Sequence, residues 1–315
     1  MAKGQSACCL WLQAFDFDRV FGPEVQQAGV FQDVSQLVTS ALDGYNVCIF
    51  AYGQTGAGKT HTMEGSKQDP GINYRAMKEL FRSINGERTD ARYAISVSIV
   101  EIYNEMVHDL LAEGGKADSD LQKGPAGFTI PDLTQSEVTS PEQIFEIMEK
   151  GFEHRAVGCH DINARSSRSH CLLVINVAAT DAASGVRTVG KLTLCDLAGS
   201  ERITKTGATG LTLTEAQNIN KSLLELGNVI SALMQQSKHV PYRNSKLTML
   251  LQDSLGGHAK ALMFCNLAST AIHATETLSS LGFASKVSNV VLKTPQRKFQ
   301  DVKDNMPTGR QTSRQ

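Results

Sequence analysis

The apolar run Val47-Cys48-Ile49-Phe50-Ala51, followed one residue later by Gly53-Gln54-Thr55-Gly56-Ala57-Gly58-Lys59-Thr60, restricts this chain more than any other segment. The first run reads as a buried strand. The second fits G-x-x-x-x-G-K-[ST], whose glycines let the backbone curl until its N–H groups face phosphate oxygens. Lys59 then supplies a charge at the β- and γ-phosphates, and the Thr60 hydroxyl reaches Mg²⁺. A helix-compatible run opens at His61. Strand, glycine loop and helix, in that order, form the context this chemistry requires, so the segment predicts a nucleoside-triphosphate site.

A loop of this kind belongs to a layered α/β fold, and the rest of the chain alternates accordingly. Apolar residues from Val30 to Leu42 recur at helical spacing up to Asp43-Gly44, and 93–103 is long and β-branched. Pro141 opens a helix, strands are expected at 172–177 and 191–195, and a long helix at 214–234. A strand at 261–267 and a helix over 275–290 complete the series, while the glycine- and aspartate-rich stretch 113–127 reads as a surface loop. From Thr294 the chain is polar with no apolar periodicity, which predicts a disordered tail over 294–315. Residues 286–315 carry seven Lys/Arg against two Asp, a charge that suits either solvent or an acidic partner.

Basic and acidic residues nearly cancel, 31 against 32, so net charge marks neither a nucleic-acid nor a membrane binder. No apolar run approaches the ~18 residues of a membrane span, and the stretch from Ala7 to Leu12 is too brief for a signal-peptide core. The seven cysteines include no C-x-x-C pair, and Cys48, Cys171, Cys195 and Cys265 sit in strand-like runs where a thiol acts as a small hydrophobe. The expectation is a reduced, soluble, intracellular protein.

Two further segments indicate what a γ-phosphate would control. Cys195-Asp196-Leu197-Ala198-Gly199 ends a strand with D-x-x-G, placing an aspartate near the Mg²⁺ shell and a glycine N–H near the γ-phosphate. Asn163-Ala164-Arg165-Ser166-Ser167-Arg168-Ser169-His170 is a run of hydroxyls and arginines able to coordinate Mg²⁺ and orient water. Alone, either is weak, the second being equally readable as a polar loop. Together with the glycine loop they describe a switch whose loops order around a triphosphate.

The segments GQTGAGKT, NARSSRSH and DLAGSER resemble the P-loop, first switch and second switch of kinesin motor domains, in the family's order. The likeness extends through VSIVEIYNEMVHDLL, NINKSLLELGNVISAL and HVPYRNSKLTMLLQDSLGG and covers roughly 15–290, within an expected motor domain at 13–293. The ending FASKVSNV is most similar to the minus-end-directed, C-terminal-motor kinesins. The resemblance implies a three-layer P-loop NTPase fold: a central, mostly parallel β-sheet with helices on both faces. It implies ATP and Mg as bound groups, with Thr60 and Ser167 as metal ligands and Asp196 acting through water. Arg168 and Glu201 match the salt bridge that closes the switches, Gly199 the γ-phosphate sensor, Asn163 the first-switch asparagine, and His61 a position beside the adenine. A carboxylate paired with Arg168 would have a lowered pKa, which favours proton transfer along water over Glu201 as direct base.

The same resemblance assigns Lys221, Lys238, His239, Arg243 and Lys246 to a microtubule-binding face. Residues 236–260 carry a net charge of +3, suited to the acidic tubulin surface. The sequence departs from the family in three places. Residues 1–12 (MAKGQSACCLWL) lack the family's R-x-R-P, so the first family strand is expected to be missing. No heptad neck precedes the motor, leaving any dimer partner to a neck outside this chain. Leu281-Gly282-Phe283 has glycine where arginine is usual.

The leading expectation is an ATP-driven microtubule motor of the cytoplasmic cytoskeleton, the spindle included. A microtubule-binding module that holds nucleotide but turns it over weakly is the rival, given the missing adenine strand. D-x-x-G alone also fits a signalling GTPase, but no guanine-reading N-K-x-D occurs.

Overall fold

A computed structural model describes residues 13–86, 88–113, 121–124, 127–157, 167–202, 211–256 and 258–300. Helices α1 (Gln27–Gln32) and α2 (Ser35–Thr39) precede strand β1 (Asn46–Tyr52). Helices α3 (Lys59–Met63) and α4 (Ile72–Gly86) lead to β2 (Ala91–Tyr103) and β3 (Met106–Asp109). A small hairpin, β4 (Gln122–Gly124) with β5 (Gly127–Thr129), is followed by β6 (Ser136–Val138) and α5 (Pro141–Val157). The long strands β7 (Ser169–Asp181) and β8 (Arg187–Asp196) precede the long helix α6 (Leu211–Met234). After it come the short helices α7 (Lys246–Leu250) and α8 (Gln252–Leu255), then β9 (Lys260–Cys265), α9 (Ala274–Ser288) and β10 (Phe299–Gln300).

Strand β1 shows why the chain forms layers. All seven of its residues are buried, and alternate side chains enter different cores. Val47, Ile49 and Ala51 join the cluster under α2, α4 and α5, whereas Cys48, Phe50 and Tyr52 join the cluster under α6, α7 and α9. Strand β2 divides in the same way, with Ile95, Val97 and Ile99 on the first face and Val100 and Ile102 on the second. The expected three-layer arrangement is thus built, with helices on both faces.

The sheet runs β3-β2-β7-β8-β1-β9. It is mixed rather than mostly parallel: among the described residues only β1 pairs in parallel, with β8 and β9. The cause is local, since β7 and β8 form one long hairpin through the turn at 181–187, and β2 runs antiparallel to β7 over its full length. The expected missing strand concerns residues 1–12, which lie outside the described residues; among the described residues β9 and β3 end the strand order. No described helix is long and apolar enough to cross a membrane.

Four other expectations are corrected. The helix expected over 30–42 is two short ones, broken at Asp33 and Val34. Helix α4 was not expected, although Ile72, Ala76, Met77, Leu80 and Phe81 are buried at helical spacing. Part of the loop expected at 113–127 belongs to the β4–β5 hairpin. Residues 294–300, expected to open a disordered tail, run along the sheet as an exposed segment held by its backbone. There β8 reaches past the start of β1, and β10 fills the open lane, pairing Phe299 with Thr188 and Gln300 with Arg187. The Lys298 N–H donates to the Gly44 carbonyl, and Arg297 lies over the Tyr45 ring. Residues 301–315 lie outside the described residues.

Candidate nucleotide site and track-facing surface

Strand β1 ends at Tyr52, and the loop from Gly53 to Gly58 turns the chain into α3. Gly53 has φ +153°, and a Cβ there would sit 2.2 Å from the carbonyl oxygen of Asn266. Only glycine fits this close approach. The Asn266 N–H in turn donates to the Tyr52 carbonyl at 2.8 Å, so the end of β9 braces the start of the loop. Gln54 is buried, Thr55 and Gly56 are exposed, Ala57 and Gly58 are half-buried, and the Ala57 N–H donates to the Gln54 carbonyl.

Lys59 is buried, and its ammonium donates to the carbonyls of Gly53 (2.9 Å) and Gln54 (3.0 Å). Burial lowers its pKa, while Asp196 and Glu201 act in the opposite direction. The Thr60 hydroxyl donates to Asp196 Oδ2 at 2.7 Å. Asp196 Oδ1 is buried without a partner, and burial raises this carboxyl's pKa against the pull of Arg155, Thr60 and Lys59. A hydroxyl joined to a carboxylate that keeps one unsatisfied oxygen fits a hard cation such as Mg²⁺. Gln54 Oε1 and Asn266 Oδ1 are further buried acceptors without partners at the same loop.

The loop after β8 lies directly on this cradle. The Ser200 N–H donates to the Gly53 carbonyl (3.1 Å), and the Gly199 N–H donates to the Ser167 carbonyl (2.9 Å). The loop after β8 therefore touches both the glycine loop and Ser167. A Cβ on Gly199 would fall 2.3 Å from Thr55 Oγ1 and 2.4 Å from Glu201, so a side chain there would have to displace the Thr55–Glu201 contact. Glu201 bonds Thr55 through both carboxylate oxygens, so its described partner is the P-loop rather than the expected Arg168. The backbone bonds of Gly199 and Ser200 bring the loop down onto the P-loop, where Thr55 offers two donors. Arg168, half-buried, lines a small cleft with Asn104, Glu105, His170 and Asn218. Ser167 is half-buried beside it, and Asn163 lies outside the described residues.

His61, exposed on α3, accepts a hydrogen bond at its carbonyl from the buried Gln27, whose amide also lies 3.1 Å from the ring Nδ1. Gln27 was missed, as was Asn266; neither lies in a motif, and only the fold brings them to the loop. Arg155 was missed too. It lies buried between Glu64 (3.7 Å) and Glu101 (3.6 Å) and donates to Ser169.

The basic residues after the second switch gather around α6. Lys221 is exposed on this helix, Lys238 and His239 are exposed just past its end, and Arg243 is exposed in the turn that packs on it. Lys246 differs: it is half-buried at the start of α7, where its N–H donates to Glu105 and Ser245 caps the helix.

Residues 11–290 match a family model described as the kinesin motor domain. The chain is 50% identical over 282 residues to Kinesin-like protein KIN-14E of Oryza sativa subsp. japonica, covering 89% of this chain and 26% of that protein. It is 48% identical over 310 residues to Kinesin-like protein KIN-14R of Arabidopsis thaliana, covering 96% and 28%. The chain thus spans about a quarter of the length of these relatives. Among solved structures, the motor domain of the Kar3-like kinesin from Ashbya gossypii aligns with a TM-score of 0.75 at 42% identity, covering 87% of this chain and 84% of that one. A fast kinesin aligns with a TM-score of 0.85 at 37% identity, covering 95% and 87%.

Proposed function

The chain belongs to the kinesin motor-domain family, and on that premise we propose that it hydrolyses Mg-ATP to drive movement along microtubules, toward the minus end. The observation that carries the reading is the clasp of one loop on another. Thr60 bonds Asp196 across the P-loop, while Ser200 and Glu201 bond Gly53 and Thr55 from above. Any change at the phosphate positions must therefore be felt by the loop that leads into α6. Gly53, Gly56 and Gly58 shape the cradle, Lys59 would hold the outer phosphates, and Thr60 and Ser167 would hold the metal, with Asp196 acting through water. Mg²⁺, when bound, neutralises charge on the phosphate oxygens. Turnover requires Glu201 to exchange Thr55 for Arg168, which orders the attacking water between the two switches. Phosphoryl transfer needs mainly such positioning and charge stabilisation from the protein.

Lys221, Lys238, His239 and Arg243 meet the acidic track, with Lys246 behind them. The minus-end direction is supported by the KIN-14 relatives. Assembly with a second chain through a coiled coil is proposed on similar grounds: a Kar3Vik1 C-terminal motor, 43% identical to this chain, was solved as a fusion to a synthetic heterodimeric coiled coil. The deciding experiment is ATP turnover with and without polymerised tubulin, followed by gliding on polarity-marked microtubules. Strong stimulation and minus-end-directed movement are expected. Co-pelleting without stimulation would leave a binding module, and a preference for GTP would overturn both.

A further inference from the structure

We propose that His170 is a positioning residue that ties the loop after β8 to helix α6 through a one-way chain of hydrogen bonds, so that the setting of the phosphate-side loop reaches the helix carrying Lys221. The inference rests on the motor reading above and gives it a mechanical link.

The chain has only one possible polarity. The backbone N–H of Ala198, next to Gly199, can only donate, and it reaches His170 Nδ1 at 3.0 Å. Nδ1 must therefore accept, and the neutral ring carries its proton on Nε2. Nε2 lies 2.7 Å from Ser222 Oγ, and that hydroxyl donates onward to the Ile219 carbonyl at 2.7 Å. A cationic ring, or the other tautomer, would aim an N–H at the Ala198 N–H. Burial, reinforced by the charges of Arg155 and Lys59, holds this imidazole down to about 3, in keeping with a neutral ring.

The location gives the chain its effect. His170 is 2% exposed and Ser222 is 1% exposed, so water cannot stand in for either bond. The two ends belong to different parts of the molecule: Ala198 to the D-x-x-G loop, Ser222 to α6, beside Lys221. One turn before Ser222, Asn218 donates to Asn104 at the β2–β3 turn, so α6 is tied at two successive turns on this side.

The test compares wild type, Ser222→Ala, His170→Asn and the double variant. Asparagine keeps an acceptor for Ala198 but does not reach Ser222. The readout is microtubule affinity with a non-hydrolysable ATP analogue against that with ADP, beside basal and stimulated turnover. In Ser222→Ala the ratio of the two affinities should fall roughly fivefold toward one, and stimulated kcat should fall with it, while basal turnover stays within about twofold of wild type. His170→Asn should show the same loss of ratio, and the double variant should be no worse than either single one. Long-range proton–nitrogen spectra of the wild type should show His170 as the Nε2–H tautomer, not titrating between about pH 5 and 8. The proposal is overturned by an Nδ1–H or titrating ring, by a wild-type affinity ratio in Ser222→Ala, or by basal turnover in that variant falling in step with stimulated turnover. A wild type that tubulin fails to stimulate would sink the motor reading instead, leaving the spectra to judge the hydrogen-bond chain alone.

Discussion

Glu201 is held by Thr55 at two points: its Oε2 accepts the Thr55 backbone N–H at 2.8 Å and its Oε1 accepts the Thr55 hydroxyl at 2.6 Å. The carboxylate is therefore held on the P-loop. If turnover requires it to change partners, each end of the new pair is needed. Arg168→Ala and Glu201→Ala should each lower tubulin-stimulated turnover on the order of 100-fold or more while nucleotide stays bound. The double variant should be little worse than either single one. Near-normal stimulated turnover in either single variant, measured by phosphate release, would remove the pair from the mechanism.

Lys59 tests the cradle separately. Its ammonium is buried against the carbonyls of Gly53 and Gln54, so its charge is already committed to this loop. Lys59→Ala should weaken ATP binding on the order of 100-fold, as expected for a buried charge-assisted contact. Titration with a fluorescent nucleotide measures this directly, and unchanged affinity would place the phosphates elsewhere.

The track face makes an electrostatic prediction. Neutralising Lys221, Lys238 and Arg243 together should weaken co-sedimentation with microtubules and flatten its salt dependence. Exposed charges are screened over about 10 Å at about 0.1 M salt, so the loss should be greatest in dilute buffer. Basal turnover should hold, since none of the three touches the P-loop. Superimposable binding curves for variant and wild type across the salt series would refute the assignment.

Stability should carry the signature of His170. Its ring is held far below the ordinary 6.5, first by burial and then by the charges of Arg155 and Lys59. Between those values the unfolded chain takes up a proton that the folded chain refuses, so this contribution is complete above pH 6.5 and is lost progressively toward pH 3. Urea midpoints should therefore fall more steeply below pH 6.5 for wild type than for His170→Asn. Parallel curves for the two proteins would contradict the assignment.

A gain is expected at Gly282. It lies inside α9, and a Cβ added there would meet nothing within 4 Å. Gly282→Ala should stabilise the fold by about 0.5–1 kcal/mol and raise the melting temperature by about 2 °C. Calorimetry would expose a hidden contact if the variant melted lower.

The P-loop, the buried strand before it and most helices were legible because their chemistry is local: spacing, glycine and periodicity state them directly. The strand directions were not, because parallel and antiparallel pairing of one apolar run leave the same trace in sequence. The partner of Glu201 was not legible either, since nothing in DLAGSER tells whether its carboxylate lies on Thr55 or Arg168. The tail from Thr294 looked unstructured for a related reason. What holds it is backbone pairing to a free lane of β8, and backbone hydrogen bonds have no composition. Gln27 and Asn266 belong to the same class, brought to the loop by the fold alone.

The neighbours of β1 also fix the order in which the chain can mature. Asn46 pairs with Lys191 on one side and Val47 with Lys260 on the other, so the strand that carries the nucleotide loop is made early and flanked late. Local hairpins such as β7–β8 can close quickly, whereas contacts this distant in sequence close slowly. Until both flanks arrive, an apolar strand stands with two open edges, the condition most prone to mispairing between chains. Nucleotide cannot shorten that interval, because its cradle is braced by Asn266, beyond the last of these flanks. It acts on this chain as a late ligand, stabilising the finished sheet by mass action without templating its assembly.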